Sequence, residues 1–159
     1  RRQRQMCIRD RPGADDNGHY VTNLRNLAKK YNVLGKMVFL PFLDDLPAAY
    51  MLADVVVAPS LKPEPFGRVI IEAQAMGRPV ISFDHGGSSE SIKNNITGLL
   101  VEPKNEKELG NAIEKLINMT EIQRNNMANS SRKHIVNKFS LDKMNRETIK
   151  LYSEVLKIK

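Results

Sequence analysis

The chain has 159 residues, about one domain's worth and enough to bury a core without disulfides or metals. Its 41% hydrophobic content is ordinary for a globular protein; no stretch approaches a membrane span, and no apolar run follows the charged N-terminus to make a secretory signal. The lone Cys7 excludes an intrachain disulfide and suits a reducing cytoplasm, while the net charge of +7 raises nucleic acid as a partner.

Residues 1–11 (RRQRQMCIRDR) carry much of that charge. They hold five Arg and one Asp, and without them 20 basic residues face 17 acidic ones, an excess of only +3. The stretch shows neither strand alternation nor helical periodicity, so it is expected to be a basic extension, foreign or disordered, outside a domain formed by residues 12–159. Tyr20, Leu24, Leu27, Ala28 and Tyr31 recur on one face of a helix. Met37 to Leu40 reads as a buried strand after the Gly35 breaker, and a short helix from Asp45 to Leu52 follows. Val55-Val56-Val57 is a second strand, stopped before Pro59. Gly67 to Met76 reads as a helix closed by Gly77 and Pro79. Pro79 to Phe83 is a third strand, then comes a Gly86-Gly87 loop, then a strand from Gly98 to Val101. Asn105 with Glu108 three residues on starts a helix that buries Leu109, Ile113, Leu116 and Ile117. Residues 121–138 are helical, and Ser140 caps a last helix carrying Leu141, Met144, Leu151, Tyr152 and Val155. Strands alternating with helices predict an α/β fold: a Rossmann-like open parallel sheet with helices on both faces and a helical C-terminal tail.

In such sheets ligands sit beyond the carboxyl ends of the strands, which selects the loops after Leu40, Val57 and Phe83. The second of these, Ala58 to Gly67, is stiffened by three prolines and runs into the Gly67 helix. Unpaired N–H groups and the positive end of the dipole at that helix start suit a diphosphate. Glu64 precedes the helix, and Glu72 lies in its second turn, four residues after Arg68. Two carboxylates beside an anion cradle suit a phosphorylated sugar, since they accept hydrogen bonds from hydroxyls without needing a metal. Spacing alone leaves a second reading open, in which Glu72 simply pairs with Arg68 on a solvated face.

The segment PEPFGRVIIEAQAMGRPVI resembles the glycosyltransferase family 4 signature, with its E-x(7)-E pair, its FG turn and its helix-to-strand passage. Asp84 to Glu90 is similar to that family's GG-x-x-E loop, Thr97 to Val101 to its TGLLV strand, Leu52 to Ser60 to its ADvxvxPS strand, and Lys138-Phe139-Ser140 to its xFS helix start. The resemblance runs from about Gly13 to Tyr152 and implies the C-terminal half of a GT-B architecture, incomplete at its N-terminus. It implies that Glu64 is the catalytic residue and contacts hydroxyls of the transferred sugar. Phe66, Gly67 and Arg68 would offer backbone N–H groups to sugar and diphosphate, and Glu72 would bind the ribose. Gly86, Gly87 and Glu90 would shape the pocket's edge, and Leu40 and Pro41 would meet the base, with Pro41 standing where the family usually has Gly. No cofactor or metal is implied, because the substrate is a nucleoside diphosphate sugar. The implied activity is transfer of a sugar, with retention, to a glycan or lipid-linked acceptor held by a missing N-terminal domain.

The family's GRLxxxKG-like segment, whose Arg and Lys neutralise the leaving diphosphate, does not occur here. This polypeptide is therefore expected to be silent in catalysis by itself. The last 39 residues hold nine Lys/Arg against four Asp/Glu, a solvated face or one drawn to an anionic membrane. The implied location is the cytoplasm, at the inner face of a membrane. Two rivals stand beside this reading. A GT-B sugar-nucleotide epimerase would need acid and base carboxylates and histidines in place of the Glu64–Glu72 pair. A basic nucleic-acid module would need an aromatic-basic interleave or a GXXG clamp, and neither occurs.

Overall fold

The computed structural model describes residues 6–9, 19–40 and 43–156. The chain forms two compact units, Arg1–Leu46 and Pro47–Lys159. In the first, β1 (Met6–Arg9) pairs in parallel with β2 (Met37–Leu40), with Met6 opposite Met37 and Arg9 opposite Leu40. The expectation that residues 1–11 contribute no element is corrected at Met6–Arg9. Four residues are too few to display a period, and parallel pairing satisfies the backbone groups whatever the side chains do. Helix α1 (His19–Lys30) forms where the period of 3.6 placed it, but only Ala28 of its apolar face is buried; Tyr20, Leu27 and Tyr31 are exposed. Within this unit the Arg25 guanidinium lies over the Phe39 ring, 4.2 Å from its centroid.

The second unit is built on β3 (Val56–Ala58), β4 (Val80–Phe83) and β5 (Leu99–Val101), hydrogen-bonded in that order and parallel throughout. All four residues of β4 are buried, so both faces of this sheet are covered, as the continuous apolar run required. On one face Ile81, Phe83, Leu99 and Val101 pack with Ala112 and Leu116 of α5 (Glu106–Ile117). Helix α3 (Arg68–Ala75) packs against β3 and β4, and α6 (Glu121–Phe139) packs on α3. Helix α2 (Leu46–Leu52) precedes β3, and α7 (Leu141–Leu156) ends the fold without a buried residue. The Rossmann-like order of parallel strands and helices with a helical tail is thus present.

The helix starts follow their side chains. Asn105 accepts the Glu108 amide at 3.0 Å, and Thr120 with Gln123 makes a reciprocal capping box at α6. Ser140 accepts the Lys143 amide at 3.4 Å ahead of α7. Like β1, α4 (Gly87–Ser91) has no counterpart in the sequence pattern; it is a single turn where a plain loop was expected. Two of its three serines turn inward, Ser88 meeting the Ser82 hydroxyl at 2.9 Å and Ser91 donating to the Gly87 carbonyl at 2.8 Å. Small polar residues paired in this way carry no apolar period to read.

Candidate functional site

Because β3 and β4 are adjacent and parallel, the loops leaving their carboxyl ends, 59–67 and 84–86, emerge side by side. They are bonded together. The Gly87 amide donates to the Glu64 carbonyl at 2.8 Å, and His85 Nε2 lies 2.9 Å from the Ser60 carbonyl. The Ser82 hydroxyl donates to the Ala58 carbonyl at 3.0 Å. Gly86 adopts φ 57° and ψ −145°, a conformation open essentially to glycine. A Cβ on Gly86 would stand 2.6 Å from the Glu64 carbonyl oxygen, and one on Gly87 would stand 2.8 Å from Phe66 backbone atoms. The glycine pair therefore buttresses the Glu64–Phe66 backbone from behind, and the Gly87 N–H is already engaged by protein. His85, just before the pair, is held to the loop as well.

The loop 59–67 delivers the chain into α3 through Gly67, which is buried and left-handed at φ 72°. No side chain caps this helix. The Gly67 carbonyl accepts from Ile70 at 3.0 Å and from Ile71 at 3.4 Å, and the helix geometry leaves the Arg68 and Val69 amides without intrahelical partners. An uncapped helix start at the carboxyl edge of a parallel sheet attracts an anion through its N–H groups and its dipole.

The two carboxylates flank this start. Glu64 is half-buried and accepts a hydrogen bond from the Ser60 hydroxyl. Glu72 is gripped on both oxygens, Oε2 by the Tyr50 hydroxyl at 3.0 Å and Oε1 by Arg68 at 3.1 Å. The Arg68 side chain is otherwise open, at 80% exposure. The ion pair between Arg68 and Glu72 that spacing allowed is therefore present, and Tyr50, from α2, joins it. Phe66 is half exposed and sets its ring edge-on to Phe139 at the end of α6, with centroids 5.9 Å apart. Glu90 lies exposed on α4, and its backbone carbonyl accepts the Lys138 ammonium at 3.0 Å. The structure thus gathers Glu64, Phe66, Gly67, Arg68, Glu72, Gly86, Gly87 and Glu90 within the second unit. Leu40 ends β2 in the first unit, and Pro41 lies outside the described residues.

Two residues that touch the site went unread in the sequence. Ser60 bonds Glu64 from four positions upstream, a spacing that in a proline-rich loop announces nothing. Tyr50 has the look of a core residue of α2; it is buried, yet its hydroxyl reaches Glu72. Arg78 donates to the Ala53 carbonyl at 3.4 Å, away from the α3 start. Among the described residues no group of three or more His, Cys, Asp or Glu is placed to hold a metal, and no helix is long and apolar enough to cross a membrane.

The sequence pattern described as glycosyl transferases group 1 matches residues 3–134. A glycosyltransferase of Bacillus subtilis is 34% identical over 145 residues, covering 89% of this chain and 35% of that protein. A D-inositol 3-phosphate glycosyltransferase of Salinispora arenicola is 34% identical over 137 residues, covering 85% of this chain and 30% of that protein. The chain thus spans about a third of the length of these relatives. Among solved structures, a glycosyltransferase from Rickettsia africae superposes with a TM-score of 0.91 at 29% identity, over 98% of this chain and 41% of that one. HepE of Anabaena, solved in complex with UDP, superposes with a TM-score of 0.88 at 27% identity, over 97% of this chain and 42% of that one.

Proposed function

We propose, from the premise that this chain belongs to the family of glycosyl transferases group 1, that it is the donor-binding part of a retaining enzyme of the E-x(7)-E type. Such an enzyme moves a sugar from a nucleoside diphosphate to a glycan or lipid-linked acceptor. The observation that carries this reading is the uncapped start of α3 with a half-buried carboxylate on either side. The diphosphate lies against the amides of Gly67, Arg68 and Val69, where the dipole offsets its charge. Glu64 accepts from hydroxyls of the transferred sugar, held in orientation by Ser60. Glu72 accepts from the ribose hydroxyls. A carboxylate has about four lone-pair positions, so the bonds from Tyr50 and Arg68 fix its plane and still leave acceptor capacity. Gly86 and Gly87 set the height of the loop, and Glu90 borders the pocket.

The helix start supplies the positive potential that a divalent ion would otherwise bring, which supports donor binding without metal. The Arg/Lys pair that stabilises the departing diphosphate in the family does not occur among these residues. The 159-residue chain therefore binds donor without turning it over. The acceptor belongs to a further domain. Nine Lys/Arg against four Asp/Glu in residues 121–159, with the exposed apolar side chains of α7, support peripheral contact with an anionic membrane on its cytoplasmic side.

HepE was solved with UDP-glucose as well, which puts uridine donors first among those to test. Calorimetric titration with UDP-, GDP- and ADP-sugars should show binding to one base class, lost or much weakened in Glu72→Ala. Equal affinity of Glu72→Ala for every donor would remove the ribose assignment. Hydrolysis or transfer of any nucleotide sugar by the purified chain would overturn its predicted silence.

A further inference from the structure

Outside the donor cradle, a cavity of about 550 Å³ opens between α6 and the turn that follows α4. Lys93 and Ile96 line it from the turn, and Lys133, His134, Asn137 and Lys138 line it from α6. No carboxylate lines it. Among the described residues, the ion pairs are Arg68–Glu72, Arg124–Asp54, Lys143–Glu147 and Lys150–Glu154, so none of the three lysines has an acidic partner. Lys138 donates to a neutral acceptor, the Glu90 carbonyl at 3.0 Å, which fixes its ammonium without cancelling its charge. His134 Nε2 is closed off from solvent and has no hydrogen-bond partner.

From this geometry we infer that the cavity is a second anion site, for a phosphate monoester, with Lys93, Lys133 and Lys138 as its cations and the His134 ring in its wall, where it senses the bound charge. Three lysines without acidic partners border one concavity, and an entering dianion would offset the repulsion among their charges. The volume exceeds what a bare phosphate needs and falls in the range of small-molecule sites, with Ile96 offering an apolar wall to an organic substituent. Burial, aided by the nearby Lys93 and Lys138 charges, holds the His134 pKa below its ordinary value against the opposing effect of a hydrogen bond that the ring donates to the Ser91 backbone. The charged groups that face His134 are thus cations from both bordering elements, and a bound anion would oppose their effect.

The test is titration of the 159-residue chain with inorganic phosphate, read from the His134 ring resonances, in the unaltered protein and in a Lys93→Gln/Lys133→Gln double variant. Both lysines are exposed, so the variant should keep its unfolding midpoint. We expect a saturable His134 shift, about tenfold weaker in the variant, as the loss of two exposed charge contacts implies. No saturable shift, or equal affinity in the variant, overturns the proposal, because phosphate at the α3 start alone would bind both proteins alike. A second arm uses vesicles containing phosphatidic acid. A lysine-dependent His134 shift there assigns the site to a lipid headgroup, and binding of free phosphate alone assigns it to a soluble ester. Vesicle binding that leaves the His134 ring unmoved, without a phosphate response, counts against the site.

Discussion

Replacing Gly86 by alanine probes the contact on which the cradle is built. The new Cβ would stand 2.6 Å from the Glu64 carbonyl oxygen, so the two loops must part by about 0.8 Å to restore an ordinary 3.4 Å contact. Such a separation stretches the adjacent 2.8 Å bond from the Gly87 amide to the Glu64 carbonyl and weakens it, at a cost of about 1 kcal/mol. Alanine at φ 57°, ψ −145° adds backbone strain of about 1–3 kcal/mol. The sum is roughly 2–4 kcal/mol, which for a chain of this size lowers the melting temperature by on the order of 10 °C. Glu64 moves with its carbonyl, so donor affinity should fall as well. Gly77 provides the control: it is also left-handed at φ 66°, but a Cβ there would meet Ala128 at a relaxed 3.5 Å. Gly77→Ala should lose about 1 kcal/mol and keep its donor affinity. Thermal denaturation followed by circular dichroism, with calorimetric titration of UDP-glucose, measures both quantities. Equal melting temperatures and equal affinities for the two variants would refute the buttress.

Tyr50→Phe removes one of the two groups gripping Glu72, and donor affinity should drop about fivefold by calorimetry with little loss of stability. Gly110→Ala, in the interior of α5 with nothing within 4 Å of the new methyl, should raise stability by about 0.5–1 kcal/mol in denaturant unfolding. The His134 pKa lies below 6.5 in the folded chain, so in the window below that value the folded state binds fewer protons than the unfolded one. Stability should therefore rise with pH through this window and be lost as pH falls, and His134→Gln should flatten the slope of the denaturation midpoint between about pH 5 and pH 7. Addition of EDTA should leave the donor affinity unchanged, and a fall in affinity on chelation would show that the α3 start does not hold the diphosphate without a metal.

What was legible in the sequence was local. The β-branched run before Pro59, the stop at Gly77-Arg78-Pro79 and the Asn105 cap each act within a few residues, and β3, α3 and α5 lie within a residue or two of where those signals put them. β1 escaped because a short parallel strand is recognised only by its neighbour, Met37–Leu40, some thirty positions away in the chain. α4 escaped because its inward faces are serines bonded to one another and to the backbone. The apolar stripes of α1 and α7 were legible as helices, yet periodicity says nothing of whether a partner is present, and most of both faces is exposed.

The same division between local and distant runs through the site. Arg68 and Glu72 are four apart on one helix, so their ion pair was foreseeable, and from spacing it competed with a ligand role for Glu72. Tyr50, 22 positions upstream, changes that competition. An exposed pair held by Arg68 alone would be worth little and would leave the carboxylate free to swing. A buried phenol on the other oxygen fixes the carboxylate plane, and a carboxylate with a fixed plane and spare lone pairs is what a ribose diol requires. The ion pair that spacing set against a binding role thus becomes part of the support for that role in the proposed site.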